Sequence, residues 1–285
     1  MRRILLLILS ALLLTILCGC SGSDAGQREP RLPEEPYCLL TREELRSLPA
    51  AEHACHVYSH QGTGLEEWPE TFAAYDLVYA CGSRYLEQDV VVSADGVLYC
   101  CHDLTPAALT GETRPFSELT AAQIDELRTT DGRQRLLRLS DVFDRYGTLV
   151  TYLVELKQWQ LSCEPFLALL EEYPLLRDRI ILQSSELDCL RRFETEYPEM
   201  RKLFLVFEKE KFDKALAEPC VDIVSVDNTY FDRESCDRVH AAGKEFNVAV
   251  VNPAWMIRKA IELGADSYFT DYTAKALALE NNFRK

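Results

Sequence analysis

Glu87 and Asp89 sit two residues apart in the run YLEQDVVV, residues 85–92. Tyr85, Leu86 and Val90 to Val92 suit a buried pleated surface, so the run reads as a strand. Side chains alternate along a strand, and both carboxylates therefore point to one face. Burying two such groups is costly unless something neutralises them. A divalent cation is the obvious candidate, because hard cations take carboxylate oxygens. Asp95-Gly96 then marks a tight turn, and a second short strand, Val97 to Cys101, brings the chain back to His102. A metal, carboxylates and a histidine in one place suit phosphoryl chemistry.

The elements that must position these groups alternate along the chain. Apolar, β-branched runs predict strands over 57–60, 85–92, 149–156, 180–183, 203–207, 223–226, 245–250 and 267–270. Helical spacing predicts helices over 69–80, 139–146, 163–172, 186–197, 212–217, 233–242, 253–263 and 273–281, with one modest helix at 120–127 inside the long segment 103–138. Short apolar strands with helices between them imply a parallel sheet covered by helices. Eight such units closing on themselves make a TIM (β/α)8 barrel, with the active site at the C-terminal ends of the strands. An open doubly wound sheet is the alternative, and Gly62-Thr63-Gly64 is a poor match to its Gly-rich turn.

On the barrel reading several polar residues fall at strand ends. His60 ends the first strand, Glu155 and Lys157 end the third, and Gln183 and Ser184 end the fourth. Approach to solvent is enough to account for Asp227, Asn228, Asn252 and Asp271 after the later strands. Glu87, Asp89 and Glu155 interrupt apolar strands and need another reason. His53, His56 and His240 read as structural, and Trp68 and Trp159 flank strand-end loops.

The chain has 285 residues and a formal net charge of −15. Met1 to Gly19 carries Arg2 and Arg3 and no acid, so its removal would leave the chain two units more negative. An acidic surface argues against nucleic acid and against polybasic docking on anionic lipid. It leaves an anionic substrate open, because a bound metal sets the local potential. The apolar run Ile4 to Leu17 is short for a membrane span and reads as a signal peptide. It ends in Leu17-Cys18-Gly19-Cys20, which resembles a bacterial lipobox with Cys20 as the lipidated residue. The organisation expected is a signal peptide over 1–19, a tether and short helix over 20–50, and the barrel over 51–285. Thr41 and Glu44 form a capping box for that short helix, within 39–48. The location expected is extracytoplasmic, at a bacterial membrane. There are eleven cysteines and no CxxC pair, which argues against a zinc site.

Several pieces in order resemble the glycerophosphodiester phosphodiesterase family. They are His60-Gln61-Gly62, Pro69-Glu70-Thr71, Glu87-Gln88-Asp89, Asp95-Gly96, His102-Asp103, Glu155-Leu156-Lys157 and Thr270-Asp271-Tyr272. The resemblance implies metal-dependent hydrolysis of a glycerophosphodiester to glycerol 3-phosphate and an alcohol. It implies Ca²⁺ or Mg²⁺ held by Glu87, Asp89 and Glu155, and His60 and His102 as general acid and base. Where the family has an arginine this chain has Gln61; Gln61, Lys157 and Arg84 are the substrate-binding residues expected, with Arg84 or Lys157 taking over the phosphate contact. In the helix-opening box Pro69 stands where the family's glutamate would, leaving Glu70 as a further acidic group within reach. The other readings are a barrel phospholipase acting on intact lipid or polymer, which exposed apolar residues around the mouth would favour, and a catalytically dead binding lipoprotein. No protein partner is implied.

Overall fold

The computed structural model describes residues 38–53, 56–63 and 65–283. The expected signal peptide, Cys20, the tether over 21–36 and Cys55 lie outside them.

Among the described residues nine strands run in the order β1 (Val57–Ser59), β2 (Tyr85–Val92), β3 (Leu98–Cys100), β4 (Thr151–Leu156), β5 (Ile180–Ser184), β6 (Arg201–Val206), β7 (Ile223–Asp227), β8 (Glu245–Ala249) and β9 (Ser267–Thr270). β3 pairs antiparallel with β2 through the Asp95-Gly96 turn, where Gly96 takes a φ of 84°. The other pairings are parallel, and β1 pairs with both β2 and β9, which closes the ring. The fold is a TIM (β/α)8 barrel with one added hairpin strand.

The helices are α1 (Arg42–Ser47), α2 (Phe72–Ala80), α3 (Ala107–Thr110), α4 (Ala121–Asp125), α5 (Leu139–Tyr146), α6 (Trp159–Glu172), α7 (Leu187–Glu196), α8 (Phe212–Ala217), α9 (Arg233–Ala241), α10 (Ala254–Leu263) and α11 (Thr273–Phe283). The Thr41–Glu44 capping box opens α1, and Gly264 ends α10 in the left-handed conformation. The long segment before α5 holds its own apolar cluster, in which Leu109, Phe116 and Ile124 pack against Val91 and Tyr99 of the hairpin. Trp68 packs against this cluster and donates its indole N–H to Asp131 at 2.7 Å. It anchors a loop.

Strand alternation sorts the barrel. Tyr58, Leu153, Ile181, Leu203, Leu205, Ile223 and Phe269 form the apolar interior, while the opposite faces pack on the helices. The same phase turns Glu87 and Asp89 of β2, Glu155 of β4 and Gln183 of β5 inward. Asp89, Glu155 and Gln183 lie in one register across those three strands.

The segment before the barrel is held at the N-terminal ends of the strands. Asp76 of α2 is fully buried and accepts from the Leu39 and Leu40 amides, Arg145 and Tyr146. Tyr79 donates to Leu45 O at 2.5 Å. A buried ion pair deprived of one partner strands the other. Asp76→Ala is therefore expected to lower stability by roughly 3–5 kcal/mol, seen as a fall in Tm of roughly 10 °C. An unchanged melt would show that Arg145 finds solvent without it.

Candidate active site

The site is built by the loops after β1, β3, β4, β8 and β9 and by the C-terminal parts of β2, β4 and β5. After β1, Gln61 and Gly62 take φ values of 51° and 77°, which reverse the chain. A Cβ at Gly62 would stand 2.8 Å from that of Ala74, so only glycine lets this loop lie on α2. Glu70 also takes a positive φ, 57°, and its amide donates to Gln61 O at 3.1 Å. This costly backbone turns the Glu70 carboxylate inward, towards β2. Thr71 then caps α2 by accepting from Ala74 N.

Glu70, Glu87 and Asp89 are all buried, and they offer carboxylate oxygens within 4.8 Å of one another. Glu70 Oε1 accepts the Asp89 amide at 2.9 Å, and Tyr75 donates its hydroxyl to Oε2. Glu87 accepts from the Gln61 amide at 2.7 Å and from Gln183 Nε2 at 2.8 Å. Gln61 Nε2 donates to Asp89 at 3.2 Å. Burial, then the neighbouring carboxylates, pushes both Glu70 and Glu87 well above the ordinary carboxylate range. An all-oxygen, buried and mutually repelling donor set fits a hard divalent cation.

Glu155 is not in that set of three. Lys157 Nζ stands 3.3 Å from Asp89 and 3.3 Å from Glu155, and so draws Glu155 into an ion pair. Burial still pushes Glu155 up to about 7, with Lys157 opposing and Asp89 adding to the rise. Glu70, Glu87 and Asp89 are thus the acids gathered most tightly, and Glu155, the third member of the expected trio, stands beside them in the same cavity.

His60 Nδ1 lies 2.8 Å from Asp271 Oδ1. A carboxylate can only accept, so Nδ1 carries the proton and Nε2 is the free nitrogen. Asn252 donates to the other Asp271 oxygen at 2.6 Å and accepts the Asp271 amide at 2.9 Å. Burial lowers the pKa of His60. The Asp271 hydrogen bond and charge, with Asp89 and Glu70 further away, outweigh it and leave the imidazole above its ordinary value. His102 is half-exposed, with Nδ1 2.9 Å from Asp103. His60, His102, Glu87, Asp89, Glu155, Lys157 and Gln183 line one cavity of about 150 Å³.

The Glycerophosphoryl diester phosphodiesterase family model matches residues 60–275. The chain belongs to this family. The family is one of phosphoric diester hydrolases, and its match spans every residue just described. No curated protein matches the chain. A glycerophosphodiester phosphodiesterase from Agrobacterium tumefaciens is 23% identical, with a TM-score of 0.69 over 78% of this chain and 99% of that one. A phosphodiesterase from Oleispira antarctica, solved with the product sn-glycerol-3-phosphate, is 19% identical, with a TM-score of 0.71 over 79% and 96%. A glycerophosphodiester phosphodiesterase from Thermotoga maritima is 20% identical, with a TM-score of 0.67 over 78% and 97%. These structures share the fold.

Arg84 does not join the glycerophosphoryl diester phosphodiesterase cavity, which corrects the expectation that it contacts phosphate. It precedes β2, at the N-terminal end of the barrel, and its guanidinium donates to Leu48 O, Tyr79 O and Ser83 O while stacking on Tyr79. Strand direction alone forbids the expected role. Asp271 and Asn252 do more than approach solvent: Asp271 orients His60, and Asn252 holds Asp271. His240 pairs with Asp266 at 2.8 Å, and His56 bonds Asp266 O, both away from the cavity.

Glu70→Gln isolates the repulsion. Its Oε1 would keep the Asp89 amide, and its new N–H would donate to a reversed Tyr75 hydroxyl. The chelator-treated protein is expected to gain about 1 kcal/mol at neutral pH, a rise of a few degrees in Tm. Because burial raises the folded pKa, this gain disappears as pH falls towards 4, where folded and unfolded chains are both protonated. Thermal melts of both proteins at two pH values check this, and a Tm loss at pH 7 would refute it.

Proposed function

We propose that the protein hydrolyses glycerophosphodiesters to glycerol 3-phosphate and an alcohol. The observation that carries this is the one cavity lined together by His60, His102, Lys157, Glu87, Asp89 and Glu155. The product seen in the Oleispira antarctica phosphodiesterase supports the same substrate class.

Hydrolysis needs charge offset on the non-bridging oxygens and protons moved at the attacking and leaving oxygens. Glu87 and Asp89, with Glu70 or Glu155 completing the set, would hold Ca²⁺ or Mg²⁺, which supplies Lewis acidity at the phosphate when bound. Lys157 carries a point charge beside the same carboxylates and would meet a phosphate oxygen. His60 Nε2 and His102 exchange protons at the two ester oxygens. Gln61 acts through its two hydrogen bonds to Glu87 and Asp89, orienting them, rather than as a replacement cation.

The test is release of glycerol 3-phosphate from a panel of glycerophosphodiesters, with Ca²⁺ or Mg²⁺ added and then chelated. Metal-dependent release is expected. No release with any metal would overturn the proposal.

The location proposed is extracytoplasmic, through lipidation at Cys20. The support is the lipobox-like sequence Leu17-Cys18-Gly19-Cys20 that follows the apolar run Ile4 to Leu17. No helix among the described residues is long and apolar enough to cross a membrane. Retention of a Cys20→Ala variant in the membrane fraction would count against this assignment.

A further inference from the structure

The cavity has two unlike walls. Every charged group and the Gln183 amide stand on the side built by β1, β2, β4, β5 and the hairpin. The facing wall is Leu205, Phe207, Ala249, Val250 and Phe269. Leu205 and Phe269 are buried members of the barrel's apolar interior. Phe207 follows β6 in the same phase as Leu205 and is 56% exposed, so the wall runs from the interior out to the mouth. It begins directly at the catalytic centre: the His60 and Phe269 rings meet edge to face at 6.4 Å.

A glycerol arm carries hydroxyl groups, and each loses free energy on leaving water without a partner. The apolar wall offers none from its side chains, so the glycerophosphoryl part belongs on the polar side. What meets the other wall is the second ester arm. From this, and resting on the function proposed above, we infer that the protein prefers phosphodiesters whose leaving alcohol is apolar, an alkyl or acyl-bearing chain that lies along Leu205, Phe269 and Phe207. The reaction is unchanged: water adds to phosphorus, the bond from phosphorus to the alkoxide oxygen breaks, and the alcohol leaves with a proton. Free energy comes from removing methylenes from water against a surface already shaped for them.

The two phenyl rings also suit a quaternary ammonium, which is drawn to aromatic faces. The experiment separates the two. Purified protein with its metal is given a series of glycerophospho-n-alkyl esters from ethyl to hexyl, together with the choline ester and its neutral isostere, the 3,3-dimethylbutyl ester. All are water-soluble and need no micelle. kcat/KM is expected to rise about threefold per methylene, and the neutral isostere is expected to exceed choline. Phe207→Ser, at a half-exposed position, is expected to reduce the hexyl-to-ethyl ratio about tenfold. A flat series, or a choline ester preferred over its isostere, would overturn the inference while leaving hydrolysis intact. No turnover of any ester would overturn the function on which it rests.

Discussion

Asp89→Asn is expected to lower glycerophosphodiester turnover by about three orders of magnitude, with an unchanged circular dichroism spectrum. Asp89 is the point at which the site's parts meet. Its amide is held by Glu70, its carboxylate faces Lys157 and Gln61, and it stands in register with Glu155. The amide keeps the volume and an acceptor for Gln61 but removes one of the clustered negative charges. A hard cation gains little from an amide nitrogen, so the metal-induced rise in Tm is expected to shrink with the activity. Steady-state kinetics over a metal titration, beside melts with and without chelator, check both halves. Turnover within tenfold of the parent protein would remove the acidic cluster from the chemistry.

His60→Ala is expected to cost between about 10² and 10⁴ in kcat. The companion Asp271→Asn costs less and says more. It removes the charge and weakens the hydrogen bond that hold the His60 pKa above its ordinary value, so burial, which lowers it, is opposed mainly by the charges of Asp89 and Glu70. The pKa of His60 therefore falls in the variant. If the active form is neutral, the acidic limb of the kcat/KM profile moves to lower pH. If it is protonated, the alkaline limb moves to lower pH. The limb that moves assigns the role. A pH profile unmoved in both limbs would separate Asp271 from His60 function.

Local chemistry made much of this legible before the fold was known. The bounds of α5, α8 and β9 follow from patterning alone, and the β2–β3 hairpin from Asp95-Gly96 between β-branched runs. Alternation told which residues share a face. It placed Glu87, Asp89 and Glu155 inward, and the eight alternating units gave the barrel. What it lacks is distance between segments far apart in the chain. Asp271 looked like a solvated strand end because its partner is 211 residues away. Glu70 carries no such signal, since its direction depends on Gln61, Gly62 and Glu70 itself being held at positive φ. α6 starts at Trp159, before the expected Cys163, and accommodates Pro165 inside it. Arg84 is a different miss: a residue before a strand sits at the barrel's far end, and that signal was available.

The contact between His60 and Asp271 lies across the seam where β1 meets β9, with His60 N also bonded to Thr270 O at 3.1 Å. β9 is the last of the barrel's strands to leave a ribosome, with only α11 after it among the described residues. A nascent or truncated chain ending before residue 271 would hold both histidines, Lys157 and all four clustered acids, yet its principal imidazole would have no orienting carboxylate. Activity regained on refolding would thus report the joining of the first and last strands rather than the formation of the units between them.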